Sequence, residues 1–322
     1  MKFQVPDLEK NHLANQPLYR AFNDFLKEYF PYKVQKISLH AGFTCPNRDG
    51  KVGLGGCTYC NNQTFNPAYC QLEKTITQQL EEGIRFFGKK YPEMKYLAYF
   101  QAYTNTYGSL DLLKERYEEA LAVPGVVGLV IGTRPDSMWP DLYEYLSEVH
   151  KRAFVLVEYG LESCYDNVLQ LINRGHSYKD SVEAIKTTAS HGIPVGVHMI
   201  LGLPGRTEEE QIAQADMISE LPIDTLKLHQ LQLIKGTKMA QQVALNPQFI
   251  KNYQLDEYID FVIAFLRRLR ADIVVERFVS QSPDDLLVAP RWGVKNYEFV
   301  DKVKQKMRIQ GVVQGDSCNY IK

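Results

Sequence analysis

The chain has 322 residues, 45% hydrophobic and 23% charged, enough apolar material for one large core or two small ones. A formal net charge of −1 offers no global basic field, which argues against wholesale coating of nucleic acid while leaving room for a local patch. Met1 to Arg20 lacks an apolar signal core, no apolar run approaches the roughly 20 residues that cross a bilayer, and six cysteines are too sparse for a disulfide scaffold, so the expectation is a reduced, cytoplasmic protein with no membrane partner.

The chain begins polar and then turns helical, with Leu18, Phe22, Phe25, Leu26, Tyr29 and Phe30 at helical spacing. Val34 to Leu39 alternates apolar and polar residues, as a strand does. Directly after it comes Cys45-Pro46-Asn47-Arg48-Asp49-Gly50-Lys51-Val52-Gly53-Leu54-Gly55-Gly56-Cys57-Thr58-Tyr59-Cys60, which holds three of the six cysteines. Thiolates are soft ligands for zinc or iron–sulfur clusters, and glycines let a loop wrap a bulky inorganic core. Four sulfurs complete a zinc site or an ordinary cluster, whereas three leave one iron of a cubane open. On spacing alone, zinc with His40 or Cys70 as fourth ligand stays open, as does a thioredoxin-like redox pair at Cys57 and Cys60.

A repeating pattern comes next. Helix is expected over Thr75 to Lys90, then strand Tyr96 to Phe100 and helix Asp111 to Ala122. Strand Val126 to Ile131 precedes helix Asp141 to Lys151; strand Phe154 to Tyr159 precedes helix Lys179 to Ser190. Strand Val195 to Leu201 precedes helix Glu208 to Ser219, whose Thr207 and Glu210 form a capping box, and strand Thr225 to Leu228 is the sixth. Helices Leu255 to Arg270 and Val294 to Ile309 close the chain. Strands alternating with helices imply an α/β fold with a parallel sheet, and six units imply a partial, open (β/α)6 TIM-like barrel. The expected organisation is an N-terminal helical segment at 1–32, a core at 33–235 and a C-terminal extension at 236–322 packed on it. Chemistry in such barrels gathers at the C-terminal strand ends. There the sequence places the cysteine loop, Gln101 to Tyr107, Gly132 to Asp136, Gly160 to Ser163, Gly202 to Thr207, and His229, Gln230, Gln232 and Lys235.

These residues resemble the radical S-adenosylmethionine (SAM) enzymes, most closely the bacterial YtqA/YhcC-type (MnmL-like) group related to the catalytic subunit of Elongator. The resemblance runs from Lys36-Ile37-Ser38-Leu39 to Trp292 and Gln314-Gly315. It is carried by Ala41 to Gly50, Gly56-Cys57-Thr58-Tyr59-Cys60, Glu158 to Ser163, Asn173-Arg174-Gly175-His176, Gly202-Leu203-Pro204-Gly205 and Leu228-His229-Gln230-Leu231. The common family spacing is CxxxCxxC; eleven residues between Cys45 and Cys57 match this subgroup instead.

The resemblance implies that Cys45, Cys57 and Cys60 hold three irons of a [4Fe–4S] cluster, with SAM's amino and carboxylate groups on the fourth. Reductive cleavage of SAM would give methionine and a 5′-deoxyadenosyl radical that takes hydrogen from substrate. It further implies Tyr59 near the adenine, Glu162 facing the ribose (glutamine in many relatives) and Arg174 on the SAM carboxylate. Gly202 and Pro204 would shape the adenine pocket. Asn105 stands where many members present a glycine-rich motif to the amino group. The implied substrate is tRNA, at the carbon-5 side chain of the wobble uridine, converted from carboxymethylaminomethyl to aminomethyl. The implied electron donor is a flavodoxin or ferredoxin. Tyr103 and Tyr107 are candidates to stack the base, His229 and Lys235 to face substrate, and the basic runs Arg267 to Arg270 and Lys302 to Arg308 to meet phosphates. Two other readings remain: a small-molecule or protein substrate for the same chemistry, and a zinc-stabilised binding module.

Overall fold

The computed structural model describes residues 17–61, 64, 67–88, 91 and 93–320; the first 16 residues of the expected N-terminal segment lie outside them. The strands are β1 Val34–Leu39, β2 Lys95–Phe100, β3 Val126–Thr133, β4 Phe154–Glu162, β5 Val195–Leu201, β6 Thr225–Gln230, β7 Leu233–Ile234, β8 Val274–Arg277 and β9 Leu287–Ala289. The helices are α1 Phe22–Tyr29, α2 Ile76–Gly88, α3 Leu110–Leu121, α4 Pro140–His150, α5 Asp166–Leu171, α6 Tyr178–Ser190, α7 Glu208–Ser219, α8 Lys238–Leu245, α9 Leu255–Arg268 and α10 Asn296–Gln310. The main sheet is wholly parallel in the order β1-β2-β3-β4-β5-β6-β8, and β7 and β9 form a small antiparallel pair. It is the expected partial barrel with a seventh strand. β8 is four residues long, too short to show a period-2 pattern, and pairs with β6.

Side chains alternate across this sheet because the strand repeat is two residues. Ala98 and Phe100, Leu129 and Ile131, Val155 and Val157, and Val197 and Met199 join the core shared with the outer helices. On the other face, Leu97, Tyr99, Val130, Leu156 and Val274 pack with Phe25 and Leu26 of α1 and with Phe30 just after it. Helix α1 thus closes the N-terminal end of the barrel with aromatic contacts such as Tyr29 to Phe154 at 4.8 Å. Past that plug the inward positions become polar: Lys36, Glu158, His198, Lys227 and His229. The capping box at Thr207 and Glu210 is present at the start of α7.

Two of the sheet's register shifts fall among residues of the barrel interior. One lies in β4 between Gly160 and Glu162. The other lies where β6 meets β8, beside Leu226 and Lys227. Such irregularities re-aim side chains. At the second, neighbouring residues both reach the interior: Glu276 bonds Lys36, and Arg277 lines the central cleft.

The C-terminal basic run is spent on structure. Arg268 pairs with Asp216 and Glu209, clamping α9 to α7. Arg267 pairs with Asp316, and Arg270 pairs with Asp272 and caps the carbonyls of Ser219, Leu221 and Ile223. Lys306 of the second run pairs with Asp260 at 2.6 Å.

Candidate active site

The eleven residues between Cys45 and Cys57 fold as a small hairpin. Asp49 and Leu54 form an antiparallel bridge, and Gly50 turns at φ 97°. The amide of Val52 donates to the Pro46 carbonyl and that of Gly56 to the Asn47 carbonyl, each at 2.8 Å. The folded-back hairpin brings Cys45 to the side of Cys57 and Cys60, and all three line one cleft at the C-terminal strand ends. Neighbouring segments clamp the loop. The amide of Thr58 donates to the Ile172 carbonyl at 2.9 Å, and the amide of Met239 in α8 donates to the Thr58 carbonyl at 2.8 Å.

Two buried donors converge on the Cys57 sulfur. Asn47 Nδ2 and Arg174 Nη1 each lie 3.6 Å from Sγ. Asn47 is wholly buried and ties the loop to the Asn173 carbonyl at 2.6 Å. Arg174 also donates to the Gly160 carbonyl at 2.6 Å and to His176 Nε2 at 2.9 Å, and lies 3.7 Å from Glu162. Gly160 permits this: a Cβ there would sit 2.4 Å from Arg174 Nη2. Arg134 supports the segment from beneath, donating to the Arg174 carbonyl at 2.8 Å and pairing with Asp136. Arg48 donates to the Cys60 carbonyl at 3.1 Å. Burial, reinforced by Cys57 and opposed by Arg48, pushes the Cys60 thiol up to about 11. Burial and the neighbouring Arg174 hold His176 down to about 3, so its imidazole is neutral and can accept. Such a setting suits a positively charged inorganic core, which would supply the charge that thiolates need.

The donor set fits a cluster better than a single ion. Among the described residues, no three His, Cys, Asp or Glu side chains gather closely enough to hold one metal ion. Zinc at about 2.3 Å from each sulfur demands tightly gathered thiols, whereas thiols around a cluster spread over several irons. Neither candidate fourth ligand of the zinc alternative lines the cleft with the three cysteines. Cys70 is buried away from the cleft and donates to the Ser38 carbonyl at 2.8 Å. His40 Nδ1 accepts from the Gly42 amide at 3.2 Å.

The cleft encloses about 1210 Å³ including its mouth. Tyr59, Glu162 and Arg174 line it alongside the three cysteines. Tyr59 also packs against the apolar cluster that includes Val168, Ile200 and Met239, so it belongs to a local core as well. Glu162 holds φ 65°, a left-handed conformation that a glutamate adopts only when its surroundings enforce it. Tyr103 shares this trait at φ 65°, lines the cleft and faces the Arg48 guanidinium at 5.9 Å. Asn105 stands apart: it is buried, and its Nδ2 joins the Phe100 and Gly132 carbonyls at 3.0 and 2.8 Å, bridging β2 to β3. Gly202 borders a smaller neighbouring cavity with Tyr253 and Trp292, and its amide donates to Gln211 at 2.7 Å. Pro204 is buried in the turn beside it. His229 faces the cleft from β6. Tyr107 borders a separate recess with Trp139. Exposed Lys235 and Lys238 share a second recess with Arg48 and Cys60 beside the cysteine loop.

Opposite the thiols the interior is charged, a feature that sequence reasoning missed. Glu158, 1% exposed, accepts from Lys36 at 2.7 Å, Lys227 at 2.6 Å and His198 at 2.9 Å. Glu276 accepts from Lys36 at 2.6 Å and lies 3.2 Å from Lys227, which also reaches the Tyr99 hydroxyl at 3.0 Å. Burial would raise the Glu158 carboxyl, but Lys227 and Lys36 outweigh it and hold it well below the usual carboxylate range. The sequence signal was available: polar residues at alternate positions of otherwise apolar strands.

The radical SAM superfamily model matches residues 45–216, and the radical SAM C-terminal domain model matches 223–309. The uncharacterized protein YtqA of Bacillus subtilis is 34% identical over 298 residues, 92% of either chain. A tRNA uridine(34) acetyltransferase of Methanocaldococcus infernus is 26% identical over 63% of this chain and 39% of its own length. The archaeal Methanocaldococcus infernus Elp3 structure superposes with a TM-score of 0.63 at 19% identity, over 87% of this chain and 64% of that one, and so shares the fold. The chain belongs to the radical SAM superfamily, in the YtqA-type group whose radical domain is related to that of Elp3.

Proposed function

We propose that this radical SAM enzyme holds three irons of its [4Fe–4S] cluster through Cys45, Cys57 and Cys60, and acts on the carbon-5 side chain of a tRNA wobble uridine. The observation that carries the first part is the convergence of three thiols and Arg174 on one cleft, with Arg174 Nη1 3.6 Å from the Cys57 sulfur. When bound, the cluster and SAM supply one-electron cleavage of the sulfonium and abstraction of a hydrogen atom. The chain's own residues then have separable tasks. Asn47 and Arg174 direct N–H groups at Cys57, lowering the negative charge on its sulfur. Arg174 presents its guanidinium to the SAM carboxylate, Tyr59 flanks the adenine and Glu162 faces the ribose. Asn105 acts at one remove, fixing the strand ends that shape the amino-group side. A flavodoxin or ferredoxin supplies electrons, and all six cysteines are free, as suits the reducing cytoplasm.

Arg174→Ala is expected to weaken SAM binding by roughly 1.5–3 kcal/mol, the scale of a hydrogen bond to a charged group, while the iron content stays. Equilibrium binding to the reconstituted protein reads this directly, with Arg174→Lys as a control for packing. Unchanged affinity in both variants removes Arg174 from the SAM site.

Support for tRNA comes from the relative whose name specifies uridine 34 and from the mouth of the cleft. Arg48, Lys235 and Lys238 edge the recess beside the cysteine loop, where they can meet phosphates. Tyr103, which lines the cleft, is the candidate to stack an unpaired base. Nucleoside analysis of tRNA from cells with and without the gene tests this reading. The deletion is expected to accumulate carboxymethylaminomethyluridine and lose aminomethyl-derived species. An unchanged profile, with no salt-sensitive tRNA binding, leaves the radical chemistry standing and moves it to a small-molecule or protein substrate.

A further inference from the structure

Most cations of the cleft and the interior beneath it have a visible counter-charge or a task. Lys36 and Lys227 are matched by Glu158 and Glu276, two charges against two. Arg134 has Asp136. Arg48 and Arg174 attend the cysteine loop. Arg277 differs. Among the described residues no carboxylate lies within ion-pair distance of it, and no protein oxygen accepts from its guanidinium; His229 is its polar contact. Nη2 stands 3.3 Å from Nδ1 and 3.2 Å from Nε2 of that ring. Near-equal distances to both nitrogens mean that Nη2 points an N–H at the ring without settling on either lone pair, a weak partner for a guanidinium. Nε of Arg277 is buried and unpartnered.

The surroundings fix the guanidinium without satisfying it. His229 Nδ1 is engaged by the Ser280 hydroxyl. Ser280 is locked in turn: its amide donates to Gln230 Oε1 at 2.7 Å, and its carbonyl accepts from Gln230 at 2.8 Å and Gln232 at 3.3 Å. Burial, with the nearby Arg277, holds the His229 imidazole well below its usual range, so it stays neutral and offers no second cation. What remains is a held guanidinium fork with free donors on the wall of a cleft. The residue is half-buried, so its charge gains from a partner that replaces the water of the cleft, and its planar fork matches a carboxylate bidentately.

We propose that Arg277, braced by His229 and Ser280, is the receptor for a carboxylate carried by the substrate. The proposal rests on the uridine reading of the function, in which the substrate side chain ends in a carboxylate and the product side chain lacks it. Arg277 therefore selects substrate over product, and loss of the carboxylate favours release.

The test compares cluster-loaded full-length protein with its Arg277→Gln variant. The ligands are anticodon stem-loops carrying carboxymethylaminomethyluridine or its methyl ester at the wobble position. The wild type is expected to prefer the acid about 10- to 100-fold in kcat/KM, the range of a charged hydrogen bond. Arg277→Gln is expected to lose that preference by weakening the acid alone, with SAM affinity and RNA-independent SAM cleavage unchanged. A preserved acid-to-ester ratio overturns the proposal, as does a fall in SAM affinity, which would assign Arg277 to the SAM carboxylate. A second readout needs no turnover or RNA. Phenylglyoxal labelling of Arg277, followed by mass spectrometry, is expected to slow with the free acid nucleoside and not with its ester. Slowed labelling in a protein that ignores both stem-loops would sink the uridine reading and keep the carboxylate receptor; equal labelling with acid and ester sinks the receptor.

Discussion

Cys57→Ala is expected to abolish both the iron–sulfur cluster and SAM cleavage, and Cys45→Ala and Cys60→Ala are expected to do the same. Three ligands are the minimum that hold a cubane while leaving one iron open, so no redundancy protects the site. Cys57 has a further burden, because Asn47 and Arg174 both point N–H groups at its sulfur. Removing that acceptor takes from Arg174 Nη1 its partner and leaves Asn47 Nδ2 with the Asn173 carbonyl alone. Cys70→Ala, Cys164→Ala and Cys318→Ala are expected to keep cluster and activity. Cys70 bonds the Ser38 carbonyl away from the cleft, and burial pushes the Cys164 thiol above its usual range with Tyr178 beside it. Iron and sulfide assays on the six variants decide the matter: loss in Cys70→Ala with retention in Cys45→Ala would reverse the ligand assignment.

The largest expected change in stability comes from Glu158→Gln. It removes one of two negative charges from a buried network while Lys36 and Lys227 stay in place. Breaking a buried ion pair from one side costs about 3–5 kcal/mol, because the remaining charge keeps its desolvation penalty and loses its compensation. The double variant Glu158→Gln with Lys227→Met restores charge balance around the Lys36–Glu276 pair and is expected to be more stable than the single variant. Urea unfolding of the three proteins measures this; a single variant as stable as the parent would show the network to be solvated and loosely held. The pH dependence has a definite sign. The Glu158 carboxyl is depressed, so its contribution is complete above the ordinary glutamate range and is lost as pH falls below about 4. The pKa values of His198 and His229 are lowered, by burial first and then by nearby cations, so their contribution fades below about 6.5, where the unfolded chain takes up protons first. All three effects destabilise the fold in acid, and Glu158→Gln should remove the lowest-pH part of that decline.

The elements that read clearly in the sequence are those whose burial imposes a strict period. β5 and α7 match their expected bounds, and α2 starts one residue later than expected, the last two residues of its expected span lying outside the described ones. The strands β4 and β6 run further than expected, to Glu162 and Gln230, because their polar ends point into the barrel and pair there. The seventh strand was hidden by its length and by the register shift that turns both Glu276 and Arg277 inward. For the same reason Arg277 escaped notice, since charges at consecutive positions read as a surface turn. The cysteine loop was legible because its chemistry lies in spacing. Its support was less so: Asn47 sits inside the motif, yet only the fold shows its amide meeting the Asn173 carbonyl and the Cys57 sulfur together. Asn105 shows what a strand-end position cannot tell: its Nδ2 goes to two backbone carbonyls, while its buried Oδ1 has no partner among the described residues. The basic run Arg267 to Arg270 reads as a phosphate surface until Asp216, Asp272 and Asp316 are seen beside it.

The most direct test of a three-thiol site with one open iron is the electron paramagnetic resonance spectrum of anaerobically purified, reduced protein, recorded with and without SAM beside iron and acid-labile sulfide analysis. Iron and sulfide in equal amounts, with a cluster signal that changes shape when SAM is added, is the predicted result. Zinc without sulfide, or a cluster signal indifferent to SAM, would contradict it.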